Sequence, residues 1–179
     1  MARKESLLDA AAEVMARDGY SGLTLDAVAA QAGASKGGLL YHFPSKEALI
    51  AGLVKRHVTE FEAAMASHLS DPGTPGRWTR AYLRASFEGE GGLGAGAGHG
   101  LIAAVAMNPA LLAPLRERYD AWQQALAADG VPEHVALGVR FAVDGIWLCS
   151  LLGLGAPSQT ELREVLRWLE SLTEVGHEA

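Results

Sequence analysis

The chain has 179 residues, of which 49% are hydrophobic, and a formal net charge of −6. This length supports one compact domain, or two small ones, with a hydrophobic core of ordinary size. The single cysteine, Cys149, excludes an internal disulfide and a multi-cysteine zinc site. The N-terminus lacks the apolar core of an export signal, and the most apolar window, 141–156, is shorter than the roughly 20 residues that cross a bilayer. We therefore expect a cytoplasmic protein that has no membrane partner.

Apolar residues recur with helical spacing along most of the sequence, and no alternating, β-branched run of strand length occurs. This pattern predicts an all-α protein. The first helix is expected to end near Gly19, which can adopt the left-handed conformation of a helix end. Thr24 is expected to cap a second, short helix that Gly33 interrupts.

Serine residues begin the next two helices. Ser35 caps a third helix that runs to about Tyr41, and Ser45 caps a fourth that extends toward Leu69. The clearest break in the chain is "SDPGTPGR" at 70–77. Beyond it the sequence predicts the helical run "WTRAYLRASFEGE", a glycine-rich segment at 91–100, a short apolar helix ending at 108–109, and longer helices near 110–128, 132–154 and 158–175.

The second and third helices are joined by a tight turn at Gly33, which is the pattern of a helix-turn-helix. Gly37 and Gly38 lower helix stability by about 1 kcal/mol each relative to alanine. They also leave a surface without side chains, which is useful where a backbone approaches DNA. The apolar residues around them are expected to lie in the core: Leu39, Leu40 and Phe43.

The run "TLDAVAAQAGASKGGLLYHFPSKEAL" at 24–49 resembles the DNA-binding signature of TetR-type transcriptional regulators, with similarity over about residues 3–50. The resemblance implies a three-helix helix-turn-helix domain at 1–47 and a six-helix ligand-binding and dimerisation domain at 48–179. It implies a homodimeric repressor that a small molecule releases from a double-stranded, pseudo-palindromic operator. By motif position, the residues implied to contact DNA, largely at phosphates, are Thr24, Lys36, Tyr41, His42 and Lys46. The exposed start of the third helix and its glycine backbone add Ser35 and Gly37.

The charges of the DNA-binding domain limit how it binds. Over residues 1–47, five cationic side chains stand against six acidic ones, which gives a net charge of −1. Binding should therefore rely on amides, hydroxyls and a few cations, with a modest dependence on salt. Gly38 and Leu40 occupy positions where other members of the family often carry base-contacting side chains, so few direct base contacts are expected.

Asp144 lies in the apolar run "FAVDGIWLC", where a carboxylate is costly unless it is paired. Arg140, one helical turn earlier, is the expected structural partner. Alternatively, Asp144 faces a ligand cavity or the dimer contact, where aromatic rings and carboxylates would suit a flat, lipophilic cation. The ligand-binding residues predicted on this basis are Phe87, Glu88, Met107, Tyr119, Trp122, Asp144 and Trp147.

The last two helices carry the most apolar faces, which indicates a partner and fits a dimer. The residues predicted for the interface are Leu148, Leu152, Leu162, Leu166 and Leu169. The glycine-rich segment at 91–100 is interpreted either as a hinge at a ligand cavity or as a surface loop.

Enzymatic and metal chemistry find little support in the sequence. It contains no GxSxG, HExxH or P-loop motif, its six histidines lack metal-ligand spacing, and the GxGxxG at 89–94 follows a helix rather than a strand. We therefore expect no enzyme, no metal and no cofactor. Two alternatives remain open: a ligand-independent DNA-binding protein, and a helical carrier or enzyme with a vestigial DNA-binding domain.

Overall fold

The computed structural model describes residues 4–87 and 109–174, which form eight α-helices, one 3₁₀ helix and no strand. The helices are α1 (Lys4–Gly22), α2 (Leu25–Gln31), α3 (Lys36–His42), α4 (Lys46–His68), α5 (Arg77–Phe87), α6 (Ala113–Ala127), α7 (Glu133–Leu152) and α8 (Gln159–Leu172). The 3₁₀ helix, Pro109–Leu112, precedes α6. The predicted all-α class is confirmed. None of these helices is long and apolar enough to span a membrane.

Local signals set the ends of the first four helices. Gly19 has a φ of 67° and breaks the helical backbone of α1 where the sequence predicts its end. The hydroxyl oxygens of Thr24, Ser35 and Ser45 each accept a backbone N–H from three residues later, at 3.1 Å. Caps of this kind contribute about 1 kcal/mol each. The predicted starts of α2, α3 and α4 are confirmed.

The described residues divide into two compact units. Unit 1 contains residues 4–58 and 109–117, and unit 2 contains residues 59–87 and 118–174. Both α4 and α6 contribute residues to each unit. The domain boundary predicted after residue 47 falls near the start of α4 and stays a prediction. The short helix predicted before residue 109 lies outside the described residues.

The core of unit 1 forms from the inner faces of α1 to α4. Leu7, Val14 and Leu39 are fully buried there, and Phe43 is nearly so. Burial of such side chains contributes about 1.5–3 kcal/mol each. Leu40 contradicts the prediction that placed it in the core, because it is 38% exposed. Residues 39 and 43 share one face of a helix, whereas residue 40 projects about 100° away from that face.

In unit 2, a buried acid fixes the start of α5. The Asp129 carboxylate accepts the backbone N–H groups of Trp78 and Thr79 at 3.0 and 2.7 Å, and the Thr79 hydroxyl at 2.8 Å. Gly76, just before the helix, donates its N–H to the Asp129 carbonyl at 2.8 Å. Asp129 therefore caps α5 from a loop about 50 residues further along the chain.

Candidate nucleic-acid interface and ligand pocket

The turn between α2 and α3 is a Schellman motif. The Gly33 N–H donates to the Ala30 carbonyl at 3.2 Å, and the Ala34 N–H donates to the Ala29 carbonyl at 2.9 Å. Gly33 has a φ of 60°, in the left-handed region where a side chain is strained. This residue therefore ends α2 and sets where α3 begins, which confirms the helix-turn-helix read from the sequence.

One side of α3 presents small and polar groups to solvent. Ser35, Lys36 and Gly37 are exposed, and Tyr41 is 79% exposed. A methyl group in place of the Gly37 hydrogen would meet nothing within 4 Å, whereas a Cβ at Gly38 would lie 3.2 Å from the Ser35 hydroxyl. Packing within the protein therefore gives no reason for glycine at position 37.

Two of the cations predicted to contact DNA have partners within unit 1. The Lys36 Nζ donates to the Asp26 carboxylate at 2.9 Å, and both side chains are largely exposed. The Lys46 Nζ donates to the Tyr20 carbonyl at 2.7 Å and lies 3.9 Å from the centroid of the Tyr20 ring. An exposed ion pair opens at small cost, so Lys36 is available to a phosphate. Lys46 is half-buried and held twice, so it is the less available of the two.

Thr24 and Ser35, the two predicted DNA contacts that cap helices, can still donate a hydrogen bond through their hydroxyl groups. Thr24 and Ser35 use their oxygens to accept capping bonds, and each hydroxyl also carries one donor. Both residues are exposed. His42 is half-buried, and its ring makes an edge-to-face contact with that of Tyr41. The contacts proposed for these residues remain predictions.

Unit 2 contains an open pocket of about 240 Å³ formed by the last turns of α4 and by parts of α5 and α6. Its lining residues are Glu62, Met65, Ala66, Leu69, Trp78, Arg118, Ala121 and Trp122. Trp122 is the predicted ligand residue that lines this pocket. Phe87, Tyr119, Asp144 and Trp147 lie elsewhere in unit 2, and Glu88 and Met107 lie outside the described residues.

Five aromatic rings pack beside and within the pocket. The Phe61 ring centroid lies 5.4 Å from that of Tyr82 and 5.1 Å from that of Trp122, while Trp78 and Tyr82 stack at 6.3 Å and Tyr119 and Trp122 pack at 5.1 Å. Such pairs contribute about 0.5–1.5 kcal/mol beyond their buried area. The sequence prediction missed Phe61, Trp78 and Tyr82. The four-residue spacing of Trp78 and Tyr82, which places them on one face of α5, was a usable signal.

Glu62 supplies the carboxylate of the pocket. Its Oε1 accepts the indole N–H of Trp122 at 3.1 Å and the Arg118 Nε–H at 2.7 Å, and a second guanidinium nitrogen of Arg118 also pairs with it. Glu62 is not among the ligand-binding residues predicted from the sequence. Its neighbour Glu60 is exposed on the same helix, and no local pattern distinguishes these two acids.

Asp144 is satisfied by partners within unit 2. It lies 4.0 Å from the Arg140 guanidinium, as the one-turn spacing predicts, and it accepts the hydroxyls of Tyr82 and Tyr119 at 2.8 and 3.2 Å. Burial raises the pKa of Tyr82 well above its ordinary value and, together with the Asp144 charge, raises the pKa of Tyr119 to about 12. Both phenols therefore stay protonated at neutral pH and remain hydrogen-bond donors.

An apolar stripe runs along the exposed side of α7. Phe141, Leu148 and Leu152 are exposed large hydrophobic residues, and Gly145 lies among them at helical spacing. Isolated apolar residues are common on protein surfaces, but a continuous stripe indicates a binding partner. Leu148 and Leu152 thus have the exposure that their predicted role requires, and Phe141 extends the same face.

On α8 the predicted interface residues differ in burial. Leu162 and Leu166 are half-buried, whereas Leu169 is 1% exposed. The burial of Leu169 is complete within its own protomer, so we correct the prediction and exclude it from the interface. Trp168, which the sequence prediction omitted, is a large exposed hydrophobic residue of α8.

Two family models match the chain. The model described as "Bacterial regulatory proteins, tetR family" matches residues 7–53, which contain the helix-turn-helix. The model described as "Tetracyclin repressor-like, C-terminal domain" matches residues 76–174, which is more than half of the chain.

Individual proteins are also similar to this chain in sequence or in structure. The HTH-type transcriptional regulator RutR of Escherichia coli strain K12 is 33% identical over 87 residues, which are 49% of this chain and 41% of RutR. The chain thus matches about two fifths of that relative's length. The multidrug binding protein EbrR complexed with ethidium has a TM-score of 0.67 at 28% identity, over 93% of this chain and 96% of EbrR. The complex of EbrR with malachite green gives 0.67 at 25% identity, over 97% and 99%.

Proposed function

This chain belongs to the TetR family of DNA-binding transcriptional regulators, and we propose that it is a homodimeric repressor that a small lipophilic cation releases from its operator. The observation that carries the proposal is the exposed face of α3, where Gly37 has no packing reason to be glycine. A backbone free of side chains at this point of a helix-turn-helix suits close approach to DNA.

In this proposal α3 enters the major groove. Ser35 and Lys36 at its start donate to phosphates or base edges, and Tyr41 and His42 at its end donate to phosphates. Thr24, at the start of α2, and Lys46, in α4, add contacts with the phosphate backbone of DNA. Because the predicted DNA-binding domain carries a net charge of −1, salt should weaken the complex less than it weakens strongly basic DNA-binding proteins.

The ligand class is proposed from the pocket in unit 2. Trp78 and Trp122 offer aromatic surfaces, and Glu62 offers one negative charge, which together suit a flat cation. EbrR, which is similar in fold and sequence, binds ethidium and malachite green; both are lipophilic cations.

The proposed mechanism is a shift between two spacings of the DNA-binding units in the dimer. A ligand that binds the splayed arrangement more tightly removes the recognition helices from half-sites about one helical turn apart. Linkage then requires operator DNA to weaken ligand binding by the same factor. Equal ligand affinity in the presence and absence of operator would contradict this mechanism.

A gel-shift titration tests the repressor function. We expect a specific complex with the intergenic DNA that flanks the gene, at two salt concentrations, and its release by lipophilic cations but not by neutral aromatics of similar size. Unrelated DNA of equal length is the control. Absence of a specific complex would overturn the operator-binding proposal, and a complex that no cation disturbs would overturn the ligand class.

A Gly37→Ala variant is expected to be more stable than the wild-type chain and to bind the operator at least about tenfold more weakly. Alanine favours a helix by about 1 kcal/mol over glycine, and the added methyl group meets nothing within the protein. The same methyl group would keep the α3 backbone away from DNA. Thermal unfolding followed by circular dichroism and a gel shift measure the two effects.

Opposite changes in stability and affinity cannot arise from a folding defect. Ser67→Ala, at an exposed position of α4 in unit 2, is the control, because it also places alanine in a helix but should leave operator binding unchanged. Wild-type affinity in Gly37→Ala would show that DNA does not approach α3 at this residue.

A further inference from the structure

We propose that Arg118 acts as a built-in competitor: in the ligand-free protein it occupies the Glu62 carboxylate, and a flat aromatic monocation binds by taking its place. This inference rests on the proposed ligand-responsive function and names the residue that sets the strength of ligand binding.

The hydrogen bonds described for the Glu62 side chain all end on one of its two carboxylate oxygens. The indole N–H of Trp122 and two of the three guanidinium nitrogens of Arg118 converge on Oε1. In the part of the chain that the structure describes, no hydrogen bond ends on Oε2. A carboxylate has about four acceptor sites, so Glu62 retains capacity for a further donor or a cation while Trp122 stays bound.

The two partners of Glu62 differ in how firmly they are held. Trp122 is buried, and its ring packs against Phe61 and Tyr119. The Arg118 side chain is 45% exposed and that of Glu62 is 35% exposed. Ion pairs with this exposure contribute little, because water solvates the separated charges well. Arg118 can therefore move into solvent while Trp122 keeps Glu62 in place.

Departure of Arg118 changes both the charge and the size of the pocket. Glu62 is the acidic residue and Arg118 the basic residue among the lining side chains, so removal of Arg118 leaves one uncompensated negative charge. At about 240 Å³ the pocket is smaller than typical sites for drug-sized ligands, and Arg118 is part of its wall. A monocation thus gains both the charge partner and the space that Arg118 gives up.

The rest of the lining selects aromatic ligands. Trp78 and Trp122 provide ring surfaces, and Met65 provides a polarisable thioether that adapts to different shapes. A neutral aromatic molecule of the same shape can use these contacts, but it cannot replace the Arg118 charge at Glu62 and so gains less when Arg118 leaves. Competition with Arg118 should therefore favour cations.

Binding of ethidium and of neutral 6-phenylphenanthridine to the purified full chain tests the inference, with tryptophan quenching as the readout. Arg118→Gln should bind ethidium about two- to fivefold more tightly than wild type, as expected when an exposed ion-pair competitor is removed. Its affinity for the neutral compound should change less than its affinity for ethidium. Glu62→Gln should bind ethidium at least about tenfold more weakly. Once Glu62 has been replaced, Arg118→Gln should affect ethidium binding less than it does in the wild-type chain.

Arg116→Gln, which removes the same charge from an exposed site two residues earlier on α6, is the matched control and should have a smaller effect. Unchanged or weaker ethidium binding by Arg118→Gln would overturn the inference. This variant keeps the hydrogen bond from Trp122 to Glu62, so its result is valid even if Glu62→Gln folds poorly. If Arg118→Gln does not bind ethidium more tightly but lipophilic cations still release the operator complex in the gel shift, the proposed function stands and the competition by Arg118 is wrong. Loss of specific DNA binding alone would overturn the function but not the competition.

Discussion

A Leu148→Glu variant is expected to be monomeric and to bind the operator at least about a hundredfold more weakly than the wild-type chain. Leu148 is 45% exposed and lies in the apolar stripe of α7, between Phe141 and Leu152. A carboxylate buried at the centre of a dimer contact loses its hydration without gaining a partner, which costs several kcal/mol. Sedimentation velocity measures the oligomeric state, and a gel shift measures the loss of two-site binding.

Gln124→Glu, at an exposed position of α6, adds the same charge away from the stripe and should remain dimeric. If Leu148→Glu is dimeric with normal operator affinity, the interface does not include the stripe of α7. A charge at Leu169 is a different experiment. Leu169 is buried in its own protomer, so that change should lower the thermal stability of the protomer itself.

The features that the sequence predicts correctly are local ones. A capping hydroxyl and the N–H that it binds are three residues apart, as at Thr24 and Ser35. The left-handed turn at Gly33 depends on one residue, and the contact of Arg140 with Asp144 spans one helical turn. Each of these follows from the backbone geometry of a short segment, so periodicity and capping rules are sufficient to find it.

The pocket could not be predicted in this way because its contacts join distant parts of the chain. Glu62 meets Arg118 and Trp122 across 56 and 60 residues. Nothing near Glu62 in the sequence separates it from an ordinary exposed glutamate of a helix. The prediction chose Asp144 as the notable carboxylate because it stands in an apolar run, and the structure satisfies it with Arg140 and two tyrosines.

The interface residues predicted on α8 show a second limit of sequence patterns. Helical periodicity places Leu162, Leu166 and Leu169 on one broad apolar face. In the structure α8 packs against α5 within unit 2, and burial differs along the face. Leu169 is buried by its own protomer and Trp168 remains exposed, so periodicity alone could not assign them.

An Asp129→Ala variant is expected to lower the free energy of unfolding by about 3 kcal/mol. The change removes the acceptor of two backbone N–H groups and one hydroxyl at the start of α5, and a buried donor left unsatisfied costs about 1–3 kcal/mol. Urea unfolding followed by circular dichroism measures the loss. Asp71→Ala, at an exposed position in the segment before α5, is the control and should change stability by less than about 0.5 kcal/mol.

Asp129→Asn separates the negative charge from the hydrogen bonds. The amide keeps one acceptor oxygen of similar size, but its NH₂ group cannot accept the remaining donors, and the favourable charge at the helix N-terminus is lost. We expect a loss of about 1–2 kcal/mol, between wild type and Asp129→Ala. Wild-type stability in Asp129→Ala would show that the capping bonds do not hold α5 in solution.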